Sequence, residues 1–450
     1  MAILFLAIIV AFILIAYFLG NKDLLSPWFL LCLAIFASYF IVLLNYENWE
    51  VSINGTFVLY VTTAVIAFGA GGMVIKALRP LPAAADNGLL KVRVEGYNYK
   101  KRYPANLFII ISVLFAALYI YKLLSDAAGD ASSFSGKLRA IYEKIVNENY
   151  SPGFLANQLK EVITAIAYVN TYRLFLRLYS KTDKISRIKL IIPVVVFLVA
   201  VVFSSDRNIF IRYALYAISL FVLFFRENSK KKNVNGKIIQ IVIILLLVMV
   251  LLFFLMGSLK QYKSDIFRSL SIYGGSGLYN FNLWVDGFHG EYAYGSVTSS
   301  TFVKSVNEIL QLFGLDFNYT KYPRFDTFIT YESANGYVYS SNVYSAFKPY
   351  VQDFGYLGVI IFPFVIGLFF EWLFTKMRKA KYGFAWIIYC ALIYPIVFFP
   401  IAEQIFARFH MGLVYEIGWC AIIYFSVFGR KPKKNDTVKA LSEERCDEKR

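Results

Sequence analysis

Apolar runs of about 20 residues recur along the chain, separated by short polar or basic stretches, which is the spacing a helix needs to cross a bilayer. Eleven are predicted, near residues 2–19, 27–45, 56–75, 105–124, 154–178, 189–204, 209–225, 238–257, 357–375, 384–400 and 411–428. Lipid offers backbone groups no water partner, so the runs are read as helices and the chain as an all-α polytopic membrane protein. The fifth run carries Lys160, Glu161, Arg173 and Arg177, but removing it would break the charge alternation described below. Met1 to Gly20 has neither a basic leading region nor a small-residue cleavage motif, which predicts a retained first span.

One interval breaks the rhythm. Ser258 to Tyr356, 99 residues with 24 aromatics, separates runs eight and nine. The predicted division is therefore residues 1–257 with eight helices and short loops, 258–356 as a large extracytoplasmic cap, 357–428 with three helices, and 429–450 as a basic cytoplasmic tail. Within the cap, Phe302, Val306, Ile309, Leu310 and Phe313 fall on one helical stripe that Gly314 terminates. Elsewhere in it Gly274, Gly275, Gly277, Gly287, Gly290, Gly295 and Gly336 predict irregular structure, with an aromatic load too high for disorder. Between runs four and five, Leu138, Ile141, Tyr142 and Ile145 predict a short interfacial helix.

Composition adds orientation. The net charge of +17 would suit nucleic acid, but its distribution assigns it to the membrane. The loop from Lys76 to Pro104 has seven basic and two acidic residues, and basic groups also follow runs five, seven and nine. These loops lie on one side of the alternation, so the positive-inside rule places the amino terminus outside, the tail in the cytoplasm and the cap outside. The cap's seven basic and eight acidic residues nearly cancel.

Several chemistries are argued against. Cys32, Cys390 and Cys420 lie in spans and Cys446 in the tail, so no outer disulfide is expected. Two histidines without CxxC or HExxH predict no metal site, and no cofactor is expected. The sequence lacks the phosphate loop of ATP-driven transporters, the GxSxG elbow and the DxD triplet of nucleotide-sugar enzymes. It also lacks the internal repeat of inverted-repeat transporters.

The candidate chemistry lies at the outer edge. Ser204, Ser205, Asp206, Arg207 and Asn208 join runs six and seven, with Arg212 one turn further on. Glu403, Gln404, Arg408 and His410 join runs ten and eleven, and Arg268 follows run eight. Arginine's planar fork suits diphosphate recognition, whereas pairing of Arg207 with Asp206 and Arg408 with Glu403 would make them helix-end anchors. The cap's tyrosines suit either sugar contacts or an interfacial belt. Asp286, Glu291, Asp326, Glu332 and Asp353 are candidate general bases, with Asp353 equally placed to cap the following helix.

The segment NGYVYSSNVYSAFKPYVQDFGYLG at 335–358, with Asn342, Val343 and Tyr344 followed by Asp353, Phe354 and Gly355 leading into a span, resembles the O-antigen polymerase family. This family is also called Wzy or oligosaccharide repeat unit polymerases. FSSDRNIF at 203–210 and YGGSGLYNFNLW at 273–284 are similar to it as well. The resemblance implies a metal-independent, GT-C-like glycosyltransferase of the bacterial inner membrane acting on undecaprenyl-diphosphate-linked oligosaccharides, with a Wzz-type co-polymerase as partner. The product would be an O-antigen or capsule. On that reading Arg207, Arg212, Arg268 and Arg408 hold diphosphate, Arg324 and Tyr273 contact substrate, Asn342 and Tyr344 orient sugar, and Asp353, ahead of Asp286 and Glu291, acts as base. His289 leaves the related O-antigen ligases open, and a non-catalytic flippase or exporter is the rival from another class.

Overall fold

The computed structural model describes residues 1–79, 103–129, 131–147, 150–179, 185–204, 206–229, 234–258, 266–311, 313–315, 327–380, 382–408 and 410–428. Among them the helices are α1 (Ala2–Leu19), α2 (Pro27–Leu44), α3 (Gly55–Leu78), α4 (Ala105–Ala127), α5 (Phe134–Asn147), α6 (Phe154–Tyr179), α7 (Arg187–Ser204), α8 (Arg207–Asn228), α9 (Val234–Ser258), α10 (Ile266–Val285), α11 (Ser300–Gln311), α12 (Phe347–Ala380), α13 (Phe384–Leu392), α14 (Tyr394–Phe398) and α15 (Met411–Phe428). The one sheet among them pairs β1 (Ile329–Glu332) with β2 (Val338–Ser341), antiparallel, Ile329 opposite Ser341.

Nine of these helices, α1 to α4, α7 to α9, α12 and α15, are long and apolar enough to cross a membrane, and the chain is an α-helical multi-pass membrane protein. The fifth expected run is the 26-residue α6, whose charges lower its hydropathy. The tenth is split into α13 and α14, with Pro395 at the start of the second piece.

Small residues set the closest packing. A Cβ on Gly71 of α3 would lie 2.2 Å from the Phe364 carbonyl oxygen of α12, and one on Gly367 would lie 2.1 Å from that of Phe68. Backbone therefore meets backbone along this pair, the usual means of joining helices where lipid removes the hydrophobic drive. Helices α1, α2 and α10 pack around it, while α4, α6, α7 and α15 form a second group joined through α8, α13 and α14. At the end away from the cap, loops that the charge pattern assigns to one side meet: Asp23 is 2.7 Å from Arg226 and 3.5 Å from Arg378, which lies 2.8 Å from Glu227.

The cap differs from the irregular segment expected. Ile266 to Val285 form a helix packed against α2, and its glycines are contact points, not breaks. A Cβ on Gly274 would stand 2.5 Å from Ile41, and one on Gly277 would stand 2.5 Å from the carbonyls of Pro400 and Ile401. The hairpin rests on the turn between α2 and α3: Tyr331 and Tyr279 both donate to the Trp49 carbonyl, and the Ala334 N–H donates to Glu50 at 2.7 Å. Trp49 is completely buried, stacked on Tyr279 and edge-on to Tyr339. Much of the aromatic load thus builds the cap's own core.

Two expected short helices form. In α5, Leu138 and Ile141 are fully buried. In α11, which packs against the 406–408 turn, the predicted stripe faces outward: Phe302, Val306 and Ile309 are exposed while Ser305 and Asn307 are buried.

Candidate functional site

The Asp-Phe-Gly triplet is a hinge that fixes the cap to the bundle. Helix α12 breaks at Phe354 and Gly355, where Gly355 has φ of +57°, and a Cβ there would stand 2.7 Å from the Tyr292 hydroxyl. Just before the break, Asp353 is fully buried and accepts the N–H groups of Val297 at 3.0 Å and Thr298 at 2.8 Å, one on each carboxylate oxygen. The Asp353 and Gln352 carbonyls accept from Tyr294 and Ala293, so the 293–298 stretch is held along its length. With one N–H on each oxygen and no exposure, Asp353 holds the 293–298 stretch to the bundle, a positioning role. Asp353→Ala is expected to cost about 2 kcal/mol or more through the stranded N–H groups. Thermal melting and proteolysis near residue 295 would register this, and an unchanged melt would remove the role.

A charged cluster lies beside this hinge region, at the cap end of the bundle. Asp206 caps α8 by accepting the Asn208 N–H at 2.9 Å, and Arg212 follows in the helix. Arg408 closes a 3-10 turn organised by Glu403, whose carboxylate accepts the N–H groups of Ile405, Phe406 and Ala407 at 2.7, 2.9 and 2.8 Å. Burial outweighs these donors and holds the Glu403 carboxyl above the usual range. The helix-end pairings considered from sequence therefore give way to others: Glu403 serves backbone, and Arg207 lies over the Phe253 ring, 5.1 Å from its centre.

The partner of Arg408 is Glu416 in α15. Its Oε2 accepts from Arg408 Nη2 at 2.8 Å and is 3.5 Å from Arg212 Nη1. Both guanidiniums face the Tyr394 ring, 5.4 and 5.8 Å from its centre, and Tyr394 hydrogen bonds to Gln404. Helix α6 adds Lys160 and Glu161, 3.5 Å apart and within electrostatic reach of Glu416. His410 accepts the Gly412 N–H at Nδ1, 2.9 Å, and burial together with the arginine charges lowers its pKa to about 4, so it is neutral at physiological pH.

The predicted arginines thus divide. Arg212 and Arg408 converge, while Arg207 and Tyr273 share the Phe253 ring, and Arg268 donates to the Val338 carbonyl at 2.7 Å and lies over Tyr337. Tyr344 is buried, with its ring 3.6 Å from Lys348 Nζ and its hydroxyl donating to Thr327; Asn342 is half-buried just beyond β2. Asp286 and Glu291 are exposed, and Thr56 reaches Asp286 at 3.5 Å. Arg324 and Asp326 lie outside the described residues. Sequence reasoning missed Glu416, Tyr394, Lys160 and Glu161. Glu416 carried a signal: it is the one charged residue in the last apolar run, and a charge inside a span calls for a partner.

Chemically, the cluster is an arginine fork pair beside an aromatic ring, partly neutralised from within and shielded from bulk water. Such a pair fits a phosphate or diphosphate group, for which guanidinium supplies charge and paired donors in one plane. Among the described residues no group of three or more His, Cys, Asp or Glu is arranged to hold a metal ion. The chain matches no protein-family model, no curated protein and no solved structure.

Proposed function

We propose that the protein is a polymerase that joins undecaprenyl-diphosphate-linked oligosaccharide repeat units into a surface polysaccharide. The observation that carries the reading is the convergence of Arg212 and Arg408, nearly 200 residues apart in sequence, on one Glu416 oxygen at the cap end of the bundle. An acceptor sugar hydroxyl attacks the anomeric carbon of the growing chain, the bond from that carbon to the diphosphate oxygen breaks, and undecaprenyl diphosphate leaves. Arg212 and Arg408 stabilise the charge that develops on the departing oxygen. Arg207, Arg268 and Tyr273 line the approach, and Asn342 with the cap tyrosines contacts sugar. The hydroxyl proton passes to Asp286 or Glu291, whose exposure leaves them open to substrate. A Wzz-type co-polymerase would act as partner.

The topology belongs to the same proposal: eleven spans, amino terminus and cap outside, tail in the cytoplasm of the bacterial inner membrane. The basic loops support it. An impermeant thiol reagent applied from outside is expected to label a single cysteine at position 304 and to spare one at 91 or 231. The reverse pattern would invert the orientation.

The reaction itself is tested with purified protein and a defined lipid-linked repeat unit. A ladder of multiples is the expected product. Transbilayer movement of the substrate without new glycosidic bonds would replace the polymerase with an exporter.

A further inference from the structure

We propose that Glu416 is the resident counter-anion of the arginine pair, occupying the position of a substrate diphosphate and setting how tightly that group binds. The inference rests on the polymerase reading for the identity of the diphosphate, but its geometry is independent of it. One carboxylate oxygen serves two guanidiniums, well at 2.8 Å from Arg408 and loosely at 3.5 Å from Arg212. The Arg212 Nε is buried and donates to nothing among the described residues. Arg408 and Glu416 are 8% and 7% exposed, so these charges have little water to fall back on.

Lys160, Arg212 and Arg408 are gathered with the carboxylates of Glu161, Glu416 and Glu403, of which Glu403 is turned to the backbone N–H groups of its own turn. His410, next to the pair, is neutral at physiological pH, and Asp206 is exposed at the start of α8 with Arg207 beside it. With Glu403 committed to backbone, the unfilled donor is on the arginine that Glu416 holds less well. An entering diphosphate takes both forks, and Glu416 withdraws from one or both of them. A site without Glu416 would bind diphosphate tightly and release the product slowly, whereas its presence keeps the forks aligned and the complex reversible.

The test measures anion affinity on full-length protein in detergent, using inorganic pyrophosphate and, separately, a polyprenyl diphosphate, by calorimetry and thermal shift. Glu416→Gln is expected to bind at least tenfold more tightly than the native protein and to gain more thermal stability from the anion. Glu416→Asp, which withdraws the carboxylate by one methylene, is expected to tighten binding severalfold and covers the case in which Gln does not fold. The double variant Glu416→Gln with Arg408→Gln is expected to lose the gain. Tightening for both ligands, or for the polyprenyl diphosphate alone, supports the proposal, the latter assigning part of the recognition to the lipid. Tightening for pyrophosphate alone would still support an anion site but would overturn its assignment to a lipid-linked diphosphate. Equal or weaker binding by both single variants would overturn the proposal. These readouts do not involve glycosidic bonds, so failure of the polymerase reading would leave them standing.

Discussion

Alanine at both Arg212 and Arg408 is expected to abolish polymer formation, and alanine at either alone to slow it by about 10²–10³-fold, the usual cost of losing one donor aimed at developing charge. The two guanidiniums meet at one carboxylate oxygen and flank the Tyr394 ring, so neither can be replaced by the other without leaving half the diphosphate unheld. Lysine keeps the charge but loses the planar fork, so Arg408→Lys is expected to restore activity only in part. Alanine at Arg207 or Arg268, which contact Phe253 and the hairpin, should cost far less. Product ladders from membranes matched for protein level decide the matter. Near-normal ladders from Arg212→Ala and Arg408→Ala would remove the pair from the chemistry.

Replacing Gly71 or Gly367 by alanine is expected to destabilise the fold strongly, because each glycine lies where the backbone of α3 meets that of α12. The new Cβ would meet a backbone carbonyl at 2.2 or 2.1 Å, and backbone cannot rotate away as a side chain can. Pushing the two helices apart breaks close contacts along their length, with an expected cost of about 3 kcal/mol or more, the upper part of the overpacking range. Gly418→Ala in α15 is the control: beyond its own turn of helix, none of the described residues lies within 4 Å of the added methyl, and alanine favours the helix by about 1 kcal/mol. Thermal unfolding in one detergent should therefore separate the variants in opposite directions. Similar melting of all three would contradict the packing account of α3 and α12.

The membrane architecture was legible because lipid leaves the chain few choices. Uninterrupted apolar length shows directly as α1 to α4, and basic loop residues assigned to one side, such as Arg226 and Arg378, meet the same aspartate in the structure. The cap was less legible. Gly274, Gly275 and Gly277 predict breaks because glycine disfavours an isolated helix, but the Ile41 side chain packs on the first two and the carbonyls of Pro400 and Ile401 come so close to Gly277 that only glycine fits there. Nothing in local sequence announces a contact with residues more than 100 positions away. The candidate site shows the same divide. Arginines near span ends were visible, and two of the predicted set do converge, but their meeting point is a glutamate four spans further on from Arg212 by the sequence count. Asp353 illustrates a different limit: a carboxylate before a helix reads as cap or base, and only the Val297 and Thr298 N–H groups show what its oxygens hold.

On the proposed mechanism new glycosidic bonds are made at the expense of a lipid diphosphate held by arginine. It is tested most directly by incubating purified protein with a defined undecaprenyl-diphosphate-linked repeat unit in excess chelator and counting both products. The expected result is a ladder of multiples with one undecaprenyl diphosphate released per linkage, undiminished by the chelator and absent from the Arg212→Ala, Arg408→Ala double variant. No ladder from the native protein, or a ladder that the double variant still makes at the native rate, would contradict it.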